Sequence, residues 1–242
     1  MNGEVKEIKA RIRKKIWELL ERSNIAMFPR PVHGRIPNFK GADIASSKLT
    51  LLREWNDAHV VKSNPDSPQY YIRLRALEEG KLILMATPRL LNGFILLDPR
   101  RIQPSKYATA ATIKGAFKYG YPMKLRDLPK VDLIVTGCVA VDRRGVRLGK
   151  GGGFSELEYA ILKEIDSVDD YTPILTTIHD LQLIDENIPL EIHDFTVDYV
   201  LTPTKIVKIP ESFKYRPRGI YPDLLTQRIR ELDIIRELFE IK

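Results

Sequence analysis

The chain has 242 residues, a net charge of +7 and a hydrophobic fraction of 43%, values typical of a globular protein with one large domain. It contains no apolar run of about 20 residues and no signal-peptide pattern, so we expect neither a membrane span nor secretion. The single cysteine, Cys138, excludes a disulfide within the chain and fits a reducing cytoplasm.

The first predicted element is a helix over residues 4–21. Its apolar residues recur every three or four positions, so one face packs and the opposite face is cationic. Residues 1–40 hold ten Lys or Arg against four Glu, a net charge of +6. Three interpretations of the cationic face stay open: a solvated surface, a contact with the phosphates of a nucleotide, and a contact with the phosphates of nucleic acid.

Predicted strands and helices alternate through the middle of the chain. After a Pro-rich loop the patterns predict a helix at residues 43–55, a strand at 60–64, a helix at 69–79, strands at 82–86, 94–97 and 131–141, a helix at 155–166, and strands at 174–178 and 199–202. This alternation favours an α/β fold, in which helices cover both faces of a mainly parallel sheet.

The end of the chain is predicted to be a helix over residues 221–241. Pro222 opens this helix, and apolar residues recur along it at helical spacing. We expect residues 1–210 to form one α/β domain and residues 211–242 to form a helical extension packed on it. Alternatively, the apolar residues of this helix form a contact between subunits.

The most informative segment is a glycine-rich loop between the predicted strand at 131–141 and the helix at 155–166. Four of the five residues 149–153 are glycine, and Arg147 and Lys150 add positive charge. Glycines let backbone N–H groups approach a ligand without a Cβ in the way, and a helix N-terminus favours phosphate. The spacing fits neither the dinucleotide fingerprint nor the P-loop. We interpret the loop as a phosphate site, with a flexible, strain-relieving turn as the alternative.

Residues 147–154, Arg-Leu-Gly-Lys-Gly-Gly-Gly-Phe, resemble the R-L-G-x-G-x-G-Y signature of the 5-formyltetrahydrofolate cyclo-ligase family. Residues 9–13 resemble its K-x-x-L-R motif, and residues 193–200 its H-D-x-x-x-D-x-I segment. Residues 28–41 are most similar to the methenyltetrahydrofolate synthetase domain-containing branch. The resemblance spans roughly residues 4–210 and implies the α/β fold of the NagB/RpiA/CoA transferase-like group.

The resemblance implies a ligase that uses ATP and Mg²⁺ to convert 5-formyltetrahydrofolate to 5,10-methenyltetrahydrofolate, with release of ADP and phosphate. The implied partners are therefore ATP and a reduced folate or related pterin, and no membrane. Arg147 and Lys150 are the implied catalytic residues. The residues implied to bind ATP are Lys9, Arg13, Arg147, Leu148, Gly149, Lys150, Gly151, Gly152, Gly153 and Phe154.

The metal positions of the family match Glu156 and Asp194, and carboxylates are ligands that Mg²⁺ prefers. Glu156 departs from the family, in which most members carry Asp after two Tyr. Each residue also has a structural interpretation. Glu156 suits the first turn of a helix, where an acid favours the helix dipole, and Asp194 suits a turn.

A second function stays open, a non-catalytic nucleotide- or RNA-binding module that retains the cyclo-ligase fold. The basic first helix favours it, as does the altered metal motif. Residues 64–69 also depart from the folate motif of classical members, which carry an acidic residue after the second strand. The chain has no RNP-type motif and no basic strand with interleaved aromatics, which makes RNA the less favoured partner.

Overall fold

A computed structural model describes residues 3–241; residues 1, 2 and 242, the outer limits of the two predicted units, lie outside the described residues. Within residues 3–241 the helices are α1 (Gly3–Arg22), α2 (Ala42–Ser47), α3 (Arg53–Asn56), α4 (Tyr70–Glu78), α5 (Tyr107–Ala110), α6 (Ile113–Tyr119), α7 (Phe154–Glu164), α8 (Gln227–Arg230) and α9 (Asp233–Ile241). In this part of the chain, no helix has both the length and the apolar character that crossing a membrane requires.

The strands of the same residues are β1 (Ala26–Met27), β2 (Asn38–Phe39), β3 (Val60–Ser63), β4 (Leu82–Ala86), β5 (Phe94–Leu97), β6 (Tyr121–Met123), β7 (Leu133–Thr136), β8 (Ala140–Asp142), β9 (Arg147–Leu148), β10 (Ile174–Thr177), β11 (Leu183–Ile184), β12 (Tyr199–Leu201) and β13 (Ile206–Lys208). Eight of them form the central sheet, in the order β13-β12-β10-β7-β3-β4-β5-β6. The middle strands from β12 to β4 run parallel, and the outer strands pair antiparallel.

Helices cover both faces of this sheet. Leu84 and Ile134 belong to a core cluster shared with α7 and α9. Their chain neighbours Ile83 and Leu133 belong to a second cluster, shared with α4, α5 and α6. Successive residues of a strand point to opposite faces, so one apolar strand serves both cores. The predicted α/β architecture is confirmed.

The single long strand predicted at residues 131–141 is wrong. β7 ends at Thr136, β8 begins at Ala140, and the two strands belong to different sheets. Gly137 lies at the break, where a Cβ atom would stand 2.7 Å from Oε1 of Gln69. β8 pairs with β9 and β11 in a three-stranded sheet that packs against α1. Because of this break, the glycine loop follows the smaller sheet and lies beside α1.

The two helices predicted at 43–55 and 221–241 are each divided. A 3₁₀ turn separates α2 from α3 in the first region. In the second, a 3₁₀ turn at Pro222–Leu224 precedes α8 and α9. The hydroxyl of Thr226 accepts a hydrogen bond from the backbone N–H of Ile229, so a new helix begins there. α9 buries Ile234, Ile235 and Leu238 against the α7 side of the central sheet.

Candidate functional site

A cavity of about 460 Å³ lies between α1, the glycine loop, residues 191–194 and the segment after β13. This volume is in the range of small-molecule sites. The residues predicted to bind ATP that line it are Lys9, Arg13, Arg147, Leu148, Gly149, Gly151, Gly152 and Gly153. Both predicted metal ligands, Glu156 and Asp194, also line it.

α1 presents its cations to the cavity because of their spacing. Lys6, Lys9 and Arg13 are separated by three and four residues, so they share one face of the helix. The adjacent stripe, which includes Ile12 and Ile16, is buried against the sheet of β8 and β9. Packing of the apolar stripe therefore fixes the direction in which the cations point.

Lys9 is held by two carboxylates at the cavity wall. Its Nζ lies 2.8 Å from Oε2 of Glu191 and 2.7 Å from Oδ2 of Asp194. The same oxygen of Asp194 accepts a hydrogen bond from the backbone N–H of Glu191 at 2.9 Å. Asp194 therefore closes a turn, as its structural interpretation requires, and also faces the cavity.

Arg13 joins α1 to the glycine loop. Its Nε donates a hydrogen bond to the carbonyl of Gly149 at 2.7 Å. Gly151 has a φ of +101°, and a Cβ atom there would stand 3.5 Å from the guanidinium carbon of Arg13. Burial lowers the pKa of Arg13 from its ordinary value. The cation thus lies directly against the loop whose N–H groups were predicted to bind phosphate.

Arg147 is a buried cation with one unused donor. It pairs with Glu156 and donates to the carbonyl of Gly137 at 3.1 Å. Its guanidinium carbon lies 4.8 Å from the ring centre of Phe195. Its Nε is buried and has no hydrogen-bond partner. Leaving a buried donor unpaired costs about 1–3 kcal/mol.

Glu156 occupies the first turn of α7, where both its structural and its metal interpretation place it. Burial raises its pKa, but the charge and hydrogen bond of Arg147 outweigh that effect, and the pKa lies below its ordinary value. No group of three or more His, Cys, Asp or Glu side chains in residues 3–241 is arranged to hold a metal ion. Mg²⁺ commonly binds one or two carboxylates and takes its other ligands from phosphate and water. Glu156 and Asp194 fit that partial role.

The two other residues predicted to bind ATP lie away from the cavity. Nζ of Lys150 is 3.0 Å from Oδ1 of Asp66, in an ion pair on the outer side of the loop. Phe154 packs against the core cluster shared by α7 and the central sheet. The side chains in and beside the loop therefore face three environments. Arg147 faces the cavity, Phe154 the core and Lys150 the surface.

A buried ion pair behind the loop was not predicted. Lys62 of β3 pairs with Glu158 of α7, and Nδ2 of Asn64 donates to Oε2 of Glu158 at 3.0 Å. Burial raises the pKa of Glu158, and Lys62 opposes that effect only in part. The signal in the sequence was a lysine within an apolar strand. The pair ties the start of α7 to the end of β3 and so supports the loop.

The wall opposite α1 was also not predicted to be part of the site. It comes from the segment after β13, and it consists of Gly219, Ile220, Tyr221, Asp223, Leu224, Leu225, Thr226 and Ile229. No motif marks these residues. Only the helical spacing of Leu225 and Ile229 indicated that one face of this segment packs on the domain.

Comparison with known proteins finds relatives over nearly the whole chain. The model of the 5-formyltetrahydrofolate cyclo-ligase family matches residues 5–203. The chain is 42% identical over 237 residues to the methenyltetrahydrofolate synthase domain-containing protein of Homo sapiens, and 40% identical over 237 residues to that of Bos taurus. Each alignment covers 94% of this chain and 60% of the relative. The chain thus spans about three fifths of the length of these curated relatives.

A solved structure shares the fold. The chain is similar to the NMR structure of Aquifex aeolicus 5,10-methenyltetrahydrofolate synthetase, with a TM-score of 0.53 and 19% identity. The similarity covers 90% of this chain and 100% of that chain. The family match ends at residue 203, so the cavity wall at residues 219–229 lies beyond it.

Proposed function

This chain belongs to the 5-formyltetrahydrofolate cyclo-ligase family, and we propose that it is an ATP-dependent ligase acting on 5-formyltetrahydrofolate. One observation carries the proposal. Lys9, Arg13 and Arg147 converge on a cavity walled by the glycine loop, and the buried Nε of Arg147 has no partner. A phosphate group would supply hydrogen-bond acceptors and the negative charge that these cations favour.

In the proposed reaction the formyl oxygen of 5-formyltetrahydrofolate attacks the γ-phosphorus of ATP, and ADP leaves. The neighbouring folate nitrogen then attacks the formyl carbon. Ring closure releases the proton of that nitrogen to solvent and expels phosphate, which carries away the former formyl oxygen, and 5,10-methenyltetrahydrofolate remains. Phosphoryl transfer requires little covalent chemistry from a protein, which must position the reactants and neutralise the moving charge.

The residues of the chain divide this work by position. The backbone N–H groups of the glycine loop and the start of α7 would hold the phosphates, with Lys9 and Arg13 beside them. Arg147 would stabilise the charge that grows on the transferred phosphoryl group. Lys150 would have to leave its partly exposed pair with Asp66 to take a catalytic role. Such pairs contribute only about 0–1 kcal/mol, so the exchange costs little.

Glu156 and Asp194 are the proposed holders of Mg²⁺. The ion would neutralise charge on the phosphates when bound. In the structure these carboxylates instead balance Arg147 and Lys9. A bound phosphate could take over those two cations, which would release carboxylate oxygens for the metal.

The test is turnover by the purified full chain with ATP, Mg²⁺ and 5-formyltetrahydrofolate, followed by the absorbance of the methenyl product. We expect product only when all three are present. Lys9→Ala should abolish most of the activity, because it removes a buried cavity cation. Lys14→Ala is the matched control, since Lys14 is exposed on the same helix and its Nζ lies 3.8 Å from Glu18. Folded wild-type protein that forms no product would contradict the proposal.

The alternative, a nucleotide- or RNA-binding module without catalysis, has one observation in its favour. Arg11, Lys14 and Lys15 are exposed together on the outer face of α1. Glu186 pairs with Arg11 and Lys15, which reduces the free charge of this surface. If RNA binds there, Lys14→Ala should lower RNA affinity, and binding should weaken steeply as salt rises. RNA affinity unchanged in Lys14→Ala would exclude this surface as an RNA site.

A further inference from the structure

The cavity has an apolar half as well as a charged half, in which cations and carboxylates occur together. Leu157 and Ala160 of α7 line it, together with Ile220, Leu224, Leu225 and Ile229 of the segment after β13. Ala160 follows Gly153 by seven residues, which places it about 10 Å further along the axis of α7. Leu157 follows Gly153 by four residues, about 6 Å along the same axis, so the apolar half extends from beside the loop to Ala160.

The segment that forms the apolar wall is fixed at its first end. The backbone N–H of Ile220 donates to Oε1 of Glu164 at 2.8 Å. Gly219 has a φ of +151°, and a Cβ atom there would stand 2.3 Å from the same oxygen. The positive φ favours glycine here, and a side chain at this position would also have to displace the carboxylate of Glu164.

The segment is also fixed along its length and at its second end. The guanidinium of Arg230 donates to the carbonyl of Pro222 at 2.8 Å and to that of Leu225 at 3.2 Å. α9 follows directly and buries Ile235 in the core. The wall is therefore a built part of the cavity.

Leu224 distinguishes this wall from ordinary core packing. Ile220, Leu225 and Ile229 pack partly buried against the core cluster shared by α7 and α9. Leu224 lines the same cavity but is not in that cluster, and 41% of its surface is exposed. A large apolar side chain that lines a cavity and keeps much of its surface exposed is placed to be covered by a ligand.

We propose that residues 220–229 form the base-binding wall of the ATP site, with the adenine ring lying against Leu224. This inference rests on the proposed function, in which the triphosphate occupies the glycine loop. A nucleotide carries its charge at one end and a flat, largely apolar ring at the other, as the two halves of the cavity do. A folate carries its charge on carboxylates, which make less use of the N–H groups of the loop and of α7.

The test compares the affinities of ATP and inorganic tripolyphosphate, measured by titration calorimetry with the full chain in Mg²⁺. Wild-type protein should bind ATP more tightly than tripolyphosphate. Leu224→Ser should lower ATP affinity about tenfold, because it removes the apolar contact, and should leave tripolyphosphate affinity within about twofold. Leu51→Ser is the matched control, since Leu51 is 73% exposed and lies outside the cavity lining. It should change neither affinity.

A second measurement does not depend on a variant. In protein with ¹³C-labelled leucine methyl groups, the adenine H8 or H2 proton of bound ATP should show nuclear Overhauser contacts to the methyl groups of Leu224.

If wild-type protein binds neither ATP nor tripolyphosphate, the proposed function fails and this inference with it. If both bind but Leu224→Ser leaves ATP affinity unchanged, or lowers only the affinity for 5-formyltetrahydrofolate, the base does not lie on this wall. The proposed function then stands.

Discussion

The buried charges around the cavity occur as pairs. Lys9 pairs with Asp194, and Arg147 pairs with Glu156. Removing two charges from water costs several kcal/mol per ion, so each buried charge needs its partner. This requirement orients the cations toward the cavity before any ligand binds. The same requirement makes Asp194 and Glu156 important for the stability of the fold, whether or not they also bind a metal ion.

Glu156→Gln should destabilise the protein in a pH-dependent way. The charge of Arg147 holds the pKa of Glu156 below its ordinary value in spite of burial, so the charged form adds stability above about pH 4.5. This contribution is lost as the pH falls through the folded-state pKa. We expect the variant to lose about 3 kcal/mol of unfolding free energy at neutral pH and progressively less below about pH 4.5. Urea unfolding at several pH values measures both.

Glu18→Gln is the control for that experiment, because Glu18 is exposed and its nearest cation lies 3.8 Å away. It should change the unfolding free energy little at any pH. A loss for Glu156→Gln that stays constant from neutral to acid pH would show that the pair with Arg147 is not its cause.

The thiol of Cys138 should be inert. Burial raises its pKa to about 11, more than the hydrogen-bonding contact of its Sγ with the hydroxyl of Thr176 lowers it. At about pH 8 nearly all of it is protonated and unreactive. Ellman's reagent should therefore react only after guanidinium chloride unfolds the protein, and Cys138→Ala should keep its turnover. Rapid reaction of the native protein would contradict this placement.

Among the elements, α1 and the glycine loop were the most predictable parts of the site. Within each of these elements the site residues are close together in the sequence. In α1 their helical spacing alone determines which side chains share a face. The break at Gly137 was not predictable, because an apolar run has the same pattern whether it forms one strand or two. The residues that crowd the glycine at this break, Gln69 and Ile36, are distant in sequence. The cavity wall at residues 219–229 was not predicted, because the residues that it faces across the cavity are also distant in sequence.

Gly151→Ala should weaken ATP binding by altering the loop. Gly151 has a φ of +101°, which a side chain disfavours, and its added methyl group would face Arg13. Gly80→Ala is a matched control, since Gly80 has a φ of +75° and open space around it. Both variants should lose about 1 kcal/mol of stability from backbone strain. Only Gly151→Ala should lower ATP affinity in calorimetric titration, and equal ATP affinity in the two variants would contradict the phosphate role of the loop.

At the scale of the whole molecule, the segment after β13 is integrated with the domain. It extends beyond the family match, yet α9 buries Ile234, Ile235 and Leu238 in a core cluster that includes the central sheet. Its wall completes the cavity that α1 and the loop open. The boundary predicted at residue 210 therefore lies between two parts of the chain that bury apolar side chains against each other.

A chain that ends at residue 210 should fail to fold. Each of the three buried side chains of α9 contributes about 1.5–3 kcal/mol, and their sum approaches the usual net stability of a domain. We expect aggregation, or loss of the cooperative transition in thermal unfolding followed by circular dichroism. A soluble truncated chain with a wild-type melting temperature would show that the extension is dispensable.

The most direct test is the affinity of ATP for Arg13→Ala compared with Arg11→Ala, measured by calorimetry in Mg²⁺. The two arginines are two residues apart on α1, but Arg13 lines the cavity, and Arg11 is exposed and pairs with Glu186. Loss of a charged hydrogen-bonding partner should weaken ATP binding about 10- to 100-fold in Arg13→Ala and leave Arg11→Ala unchanged. Equal ATP affinities in both variants and the wild-type protein would contradict the assignment of this cavity to the triphosphate.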